Sequence, residues 1–227
     1  MPKYDITRLN YAIDGLLETT TKPLHRFILQ TYARHRALEV AGRYEEIFDP
    51  NMMAKNPVYH VNSGGYTVVL RGQDQVKSLY KMWAETNQSI FFIEKEEVAV
   101  ADHFVASVVT GYQQVTGKAL KQTRLLSHLP HKWSHKLLEK ALSAKGWEAD
   151  DNDVYLYRMD AIEMVWPFDD RGRVAGEDVW EPDQLPADRL IKLDHADVVT
   201  SEQAGKLLAP IIKPQPSFDE MVLGKKK

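Results

Sequence analysis

The chain has 227 residues, 44% of them hydrophobic, which suffices for one domain with a real core or one domain plus an extension. A formal net charge of −3 argues against a nucleic-acid binder, and the lack of cysteine excludes a disulfide framework, a thiolate nucleophile and a cysteine-ligated metal. No run approaches the roughly 20 apolar residues of a membrane span, and the start MPKYDITRLNYAIDG lacks the apolar region of a signal peptide, so a cytoplasmic protein is expected.

Leu9, Ala12, Ile13, Leu16 and Leu17 recur at helical spacing and predict a short amphipathic helix over Thr7 to Glu18. Pro23 suits the first turn of a second helix, expected from Leu24 to Phe48. Its apolar stripe is Leu24, Phe27, Ile28, Thr31, His35, Leu38 and Ala41, and Arg26, Arg34, Arg36 and Arg43 should be solvated. Asp49-Pro50 stops it, because a residue before proline is pushed out of the helical region.

Pro57 to Val61 and Tyr66 to Leu70, separated by Asn62-Ser63-Gly64-Gly65, read as a hairpin. Gly72 leads into a third helix, about Gln73 to Thr86. Strands follow near Ser89 to Ala101 and His103 to Val115. Lys118 to Asp153 reads as a solvated insertion with a helical stretch at Trp133 to Lys145. Strands resume at Val154 to Phe168 and Arg173 to Trp180. The proline-punctuated remainder holds one short helix near Ser201 to Leu208 and then a loose tail. The order α-α-β-β-α-β-β-(insertion)-β-β is an α+β pattern. It divides into a single α+β domain over 1–181, with the insertion at 118–153, and a C-terminal extension over 182–227.

Three local patterns in this order resemble the SnoaL-like family of the nuclear transport factor 2-like superfamily. A long helix ends in Tyr44-Glu45-Glu46-Ile47-Phe48-Asp49-Pro50; Gly72-Gln73-Asp74-Gln75-Val76 opens the third helix; and Phe168-Asp169-Asp170-Arg171-Gly172-Arg173-Val174 leads into Glu177-Asp178-Val179-Trp180. The resemblance covers about Leu24 to Glu181. It implies helices packed on a curved antiparallel sheet around a cone-shaped cavity, and a homodimer or higher homo-oligomer formed through the exposed sheet face. It also implies a cofactor-independent enzyme using acid–base side chains alone, although the fold hosts binding modules too.

Tyr44 and Asp49 resemble the acid–base pair of bile-acid-type dehydratases in the superfamily, while Asp49 equally suits a helix-end cap and Tyr44 ordinary packing. Histidine is the side chain whose ordinary titration lies near neutrality, and on that ground His60 suits proton transfer. Strand alternation puts Asn56, Val58 and His60 on one face and Tyr59 on the other. Asp49, His60, Tyr44 and Tyr59 are therefore the catalytic candidates. His35 lies on the stripe that faces the cavity in this fold. The candidate substrate contacts are His35, Asn56, Trp83, Phe91, Tyr112, Glu163, Trp166 and Glu177. An aspartate on the last strand is catalytic in related epoxide hydrolases, and the choice between Glu177 and Asp178 stays open. His128, His131 and His135 sit beside lysines in the insertion and read as a solvated face, so no metal is expected.

These readings point to a cofactor-free lyase acting on an aromatic, hydroxylated small molecule. The longer chain and aromatic load look similar to the diarylpropane lyases of lignin-dimer catabolism, which release formaldehyde to give a stilbene. The alternatives are an isomerase or polyketide cyclase of the same fold, or a non-catalytic small-molecule-binding module.

Overall fold

In the computed structural model the described residues are 4–63, 66–122, 140, 143, 150–182 and 189–225. The first turn, Ile6–Arg8, is a 3-10 helix capped by the Asp5 carboxylate, and the first α-helix, α1, spans Tyr11–Thr19. α2 spans Pro23–Val40, with Pro23 in its first turn as expected. It ends eight residues before the expected Phe48, because Gly42 turns to φ +69° and Tyr44–Phe48 winds as a separate 3-10 helix. Tyr44 and Asp49 thus do not extend α2.

The remaining elements are β1 (Met53–Ser63), β2 (Tyr66–Arg71), α3 (Gln73–Glu85), β3 (Phe91–Val100), β4 (Phe104–Thr116), α4 (Gly117–Gln122), β5 (Val154–Pro167), β6 (Val174–Trp180), β7 (Leu190–Lys192), α5 (Ser201–Leu208) and α6 (Phe218–Met221). Most of the insertion, including the helical stretch expected at Trp133 to Lys145 and the three histidines, lies outside the described residues. Of the described residues after Glu181, β7 pairs with β5, Ala204 and Leu208 of α5 are fully buried, and in the tail expected to be loose α6 packs Phe218 edge-on against Phe27. α5 begins with a capping box between Thr200 and Gln203, which satisfies two otherwise orphaned backbone donors.

The sheet runs β2-β1-β6-β5-β4-β3, with β7 on β5. Its pairs are antiparallel except β1 with β6, which run parallel. β5 is long enough to seat β6 along Glu163 to Val165 and β7 along Tyr155 to Tyr157. Helices α2 and α3 pack on the concave side, where Ile28, Leu29, Tyr32, Leu38, Val76 and Tyr80 meet Tyr59, Val105 and Trp166.

The curvature comes from irregular pairing. Against β4, β3 carries an extra residue at Glu94, and β5 carries one extra residue, with Asp160 and Ala161 together opposite Thr110. Such bulges bend a strand and re-aim its side chains. Phe91 and Ile93 face inward; simple alternation would then send Lys95 in and Glu96 out. The bulge at Glu94 reverses this, and Glu96 lands opposite Val109 on the inner face. The convex face carries His60, Glu163 and Asp178 together with the exposed apolar side chains Val69, Val108, Val165 and Trp180.

Gly176 sits where the β1–β6 register slips, and a Cβ there would fall 2.1 Å from the Val58 carbonyl oxygen. Backbone cannot yield as a side-chain tip can. Gly176→Ala is expected to cost on the order of 1–3 kcal/mol, read as a lower denaturation midpoint at unchanged slope. An unshifted midpoint would show that the close approach is absent.

Candidate active-site cavity

Helices α2 and α3 and the concave sheet enclose a cavity of about 170 Å³. An apolar void of about 150 Å³ takes up benzene, so this one holds a single aromatic ring. Its walls are mainly apolar: Leu79, Met82 and Trp83 from α3, Phe91 and Ile93 from β3, and Ile162, Met164 and Trp166 from β5. Into this lining project Arg36 and Glu39 of α2 and Glu177 of β6.

Arg36 is held from two directions. Its Nη1 donates to both carboxylate oxygens of Glu96, at 2.8 and 2.9 Å. Its guanidinium lies over the Tyr32 ring, 5.1 Å from the centroid. The Tyr32 hydroxyl lies 3.5 Å from Glu96 and 3.3 Å from the Ser107 hydroxyl. Burial alone would lower the Arg36 pKa, but Tyr32 and Glu96 hold it raised.

Glu39 lies one turn beyond Arg36, and Glu177 lies across the cavity on the sheet. Neither carboxylate has a hydrogen-bond partner among the described residues. Burial pushes the Glu39 carboxyl up to about 8, opposed by Arg36. Burial raises Glu177 well above the usual carboxylate range, and the Glu39 charge raises it further. Two desolvated carboxyls that repel each other keep their protons to higher pH than separate carboxylates would. A carboxyl raised in this way can act as a general acid near neutral pH.

A chain of buried hydroxyls backs the cavity. His35 Nε2 lies 2.9 Å from the Tyr80 hydroxyl, which donates to the Tyr59 hydroxyl at 3.2 Å. Tyr59 is the register partner of Glu177. Burial, helped by the Arg36 charge, pushes His35 down to about 3, so the imidazole is neutral. Its Nδ1 is buried without a partner. An unprotonated acceptor there leaves the proton on Nε2, and His35 then donates to Tyr80.

Of the residues singled out in the sequence, Trp83, Phe91, Trp166 and Glu177 line the cavity. The open choice on the last strand falls to Glu177, because Asp178 takes the convex face. His35 and Tyr59 lie buried just behind the lining. The structure does not bring the others there. His60 is exposed on the convex face, with Nδ1 2.5 Å from Asp178. Asn56 and Glu163 are exposed. Asp49 is exposed and accepts from the backbone and side-chain amides of Asn51. Tyr44 is half-buried against the core. Tyr112 packs with Tyr4 and Phe92 in a second core and accepts from Arg158.

Sequence reasoning missed Arg36, Glu39, Tyr32 and Glu96. Arg36, expected in solvent, is buried because the inward face of α2 is wider than its apolar stripe. Tyr32, Arg36 and Glu39 stand at i, i+4 and i+7, and that spacing was the available signal. Among the described residues no three His, Asp or Glu side chains are disposed to hold a metal ion.

No protein-family model matches the chain, and no curated protein matches its sequence. Solved structures share its course. One is an NTF2-like protein from Anabaena variabilis, 9% identical, with a TM-score of 0.44, covering 74% of this chain and 96% of the other. Another is a putative SnoaL-like polyketide cyclase from Jannaschia sp., 12% identical, TM-score 0.42, covering 71% and 90%. A third is SalBIII, an epoxide hydrolase/cyclase-like enzyme of pyran ring formation in salinomycin, 10% identical, TM-score 0.40, covering 73% and 93%. This is likeness of chain path alone. It carries no statement about activity.

The raised carboxyls have a stability signature. A carboxyl that keeps its proton in the fold but loses it when unfolded makes the unfolded state bind fewer protons. Stability should therefore fall as pH rises from the ordinary 4.5 through about 8, the value for Glu39. In Glu39→Gln that decline should flatten, leaving the variant more stable than the parent at the alkaline end. Thermal melts across this window test it; parallel curves for the two proteins would contradict the raised carboxyl.

Proposed function

We propose that the protein is a cofactor-independent lyase. It eliminates water or a small carbonyl fragment from a hydroxylated, ring-bearing small molecule. The observation that carries this reading is the pair of unpartnered carboxyls, Glu39 and Glu177, opening on one apolar cavity. In a dehydration, the ionised carboxylate takes a proton from carbon, the carbon–oxygen bond breaks, and the protonated carboxyl gives its proton to the leaving hydroxyl. One double bond and one water result. One carboxyl then takes up a proton and the other loses one, which restores the pair.

A diarylpropane diol is the specific candidate. The base takes the proton of its primary hydroxyl, the carbon–carbon bond breaks to release formaldehyde, and the electron pair forms the alkene. The secondary hydroxyl leaves as water with the acid's proton, and the product is a stilbene. One ring fills the cavity and the other lies toward its mouth. An isomerase would use the same pair to return the proton to another carbon, giving a product of unchanged mass.

Incubation with a diarylpropane diol and with single-ring benzylic alcohols tests the reading, with stilbene absorbance, formaldehyde and product mass as readouts. Loss of water or formaldehyde supports a lyase; a product of unchanged mass replaces it with an isomerase; no turnover of either class removes it. Glu39→Gln and Glu177→Gln should each lower kcat by ~10²–10⁴-fold, the usual weight of a general acid or base. Asp49→Ala and His60→Ala should stay close to the parent. The reverse pattern would return the chemistry to the surface residues.

A further inference from the structure

Among the described residues lining the cavity, Arg36 is the only cationic one. Its charge is already paired: Nη1 donates to both oxygens of Glu96, whose side chain is 1% exposed. The other charged groups at the wall, Glu39 and Glu177, are acids. A ligand bearing a carboxylate or phosphate would find the one cation at the wall already charge-paired, in an otherwise apolar space where an unpaired charge is costly. Glu96 owes its inward position to the bulge at Glu94, so the occupation of Arg36 is built into the strand.

We propose that the cavity rejects anionic ligands and takes ring-bearing molecules without negative charge, and that Glu96 sets this selectivity by sequestering Arg36. Glu96 is a specificity-determining residue in this scheme and takes no part in the chemistry. The inference deepens the functional reading above, since it rests on the same cavity, but it concerns binding and is read without turnover.

The probes are benzyl alcohol and benzoate, one ring each and differing in charge, titrated calorimetrically at neutral pH into the full chain. The parent should bind benzyl alcohol at least about tenfold more tightly than benzoate, a gap of about 1.4 kcal/mol. Glu96→Gln frees the guanidinium, so benzoate affinity should rise about tenfold or more while benzyl alcohol affinity changes little. That variant leaves a buried cation short of its partner and risks not folding. The double variant Arg36→Met/Glu96→Met removes the pair at similar volume and should keep the parent's rejection of benzoate.

Benzoate binding to the parent as tightly as benzyl alcohol would overturn the inference. So would a folded Glu96→Gln with no gain for benzoate, or a double variant that gains it. If Glu96→Gln does not fold, the parent and the double variant decide. Absence of binding by either probe would also overturn it. Charge selectivity without turnover of any alcohol would instead sustain this inference and remove the lyase.

Discussion

Arg36 and Glu96 leave water together, and the position of the cavity's other polar groups follows from that. Each alone would carry a desolvation penalty of several kcal/mol, and removing one partner of such a pair typically costs about 3–5 kcal/mol. The contact spans α2 and β3, so it fixes how α2 is rotated over the sheet. With Arg36 pinned, Tyr32 lies one turn before it and Glu39 one turn after it on the same face. Tyr32 closes the network by stacking on the guanidinium and reaching toward Glu96 and Ser107. A helix free to turn would leave Glu39 in solvent, with an ordinary carboxylate and no general acid at neutral pH.

The sheet supplies the other half by alternation. Adjacent residues of a strand point to opposite faces, so Tyr59 and Glu177 stand inside while their neighbours His60 and Asp178 stand outside. The same two-residue step therefore produces two acid-bearing pairs of opposite character. Glu177 is desolvated against Glu39, whereas His60 and Asp178 form an exposed contact in water. Pairs of the second kind contribute little to stability.

The order of helices and strands was legible in the sequence because periodicity is a local property. α3, the four long strands and α5 stand close to where the pattern puts them, and α5 matches its expected limits. The aromatic lining at Trp83, Phe91 and Trp166 was legible for the same reason, and Glu177 was half legible, as one of two. The end of α2 was not: helical spacing runs on past Gly42, and only the positive φ there breaks it. Arg36 was lost because a lone arginine beside an apolar stripe looks solvated until its partner, 60 residues away, is known. Glu96 was lost because a bulge inverts the alternation, and a bulge leaves no mark in hydropathy. His60 drew attention for its chemistry, and the alternation that turns Tyr59 inward carries it to the convex face.

The late contacts of the chain bear on when the cavity can form. Gln215 donates to the Thr31 hydroxyl, Arg34 donates to the Lys213 carbonyl, and Phe218 packs edge-on against Phe27, so α2 is completed by residues about 180 positions downstream. Arg189 and Tyr157 both reach the buried Glu181, and Tyr157 is a cavity wall. A chain growing from the ribosome makes α2 early and must hold its apolar face unsatisfied until those residues emerge. Contacts of such long sequence separation slow folding, and waiting apolar surface invites aggregation. The cavity is thus among the last features to mature during synthesis, and chaperone dependence should concentrate in the interval between the emergence of α2 and the docking of its C-terminal cover.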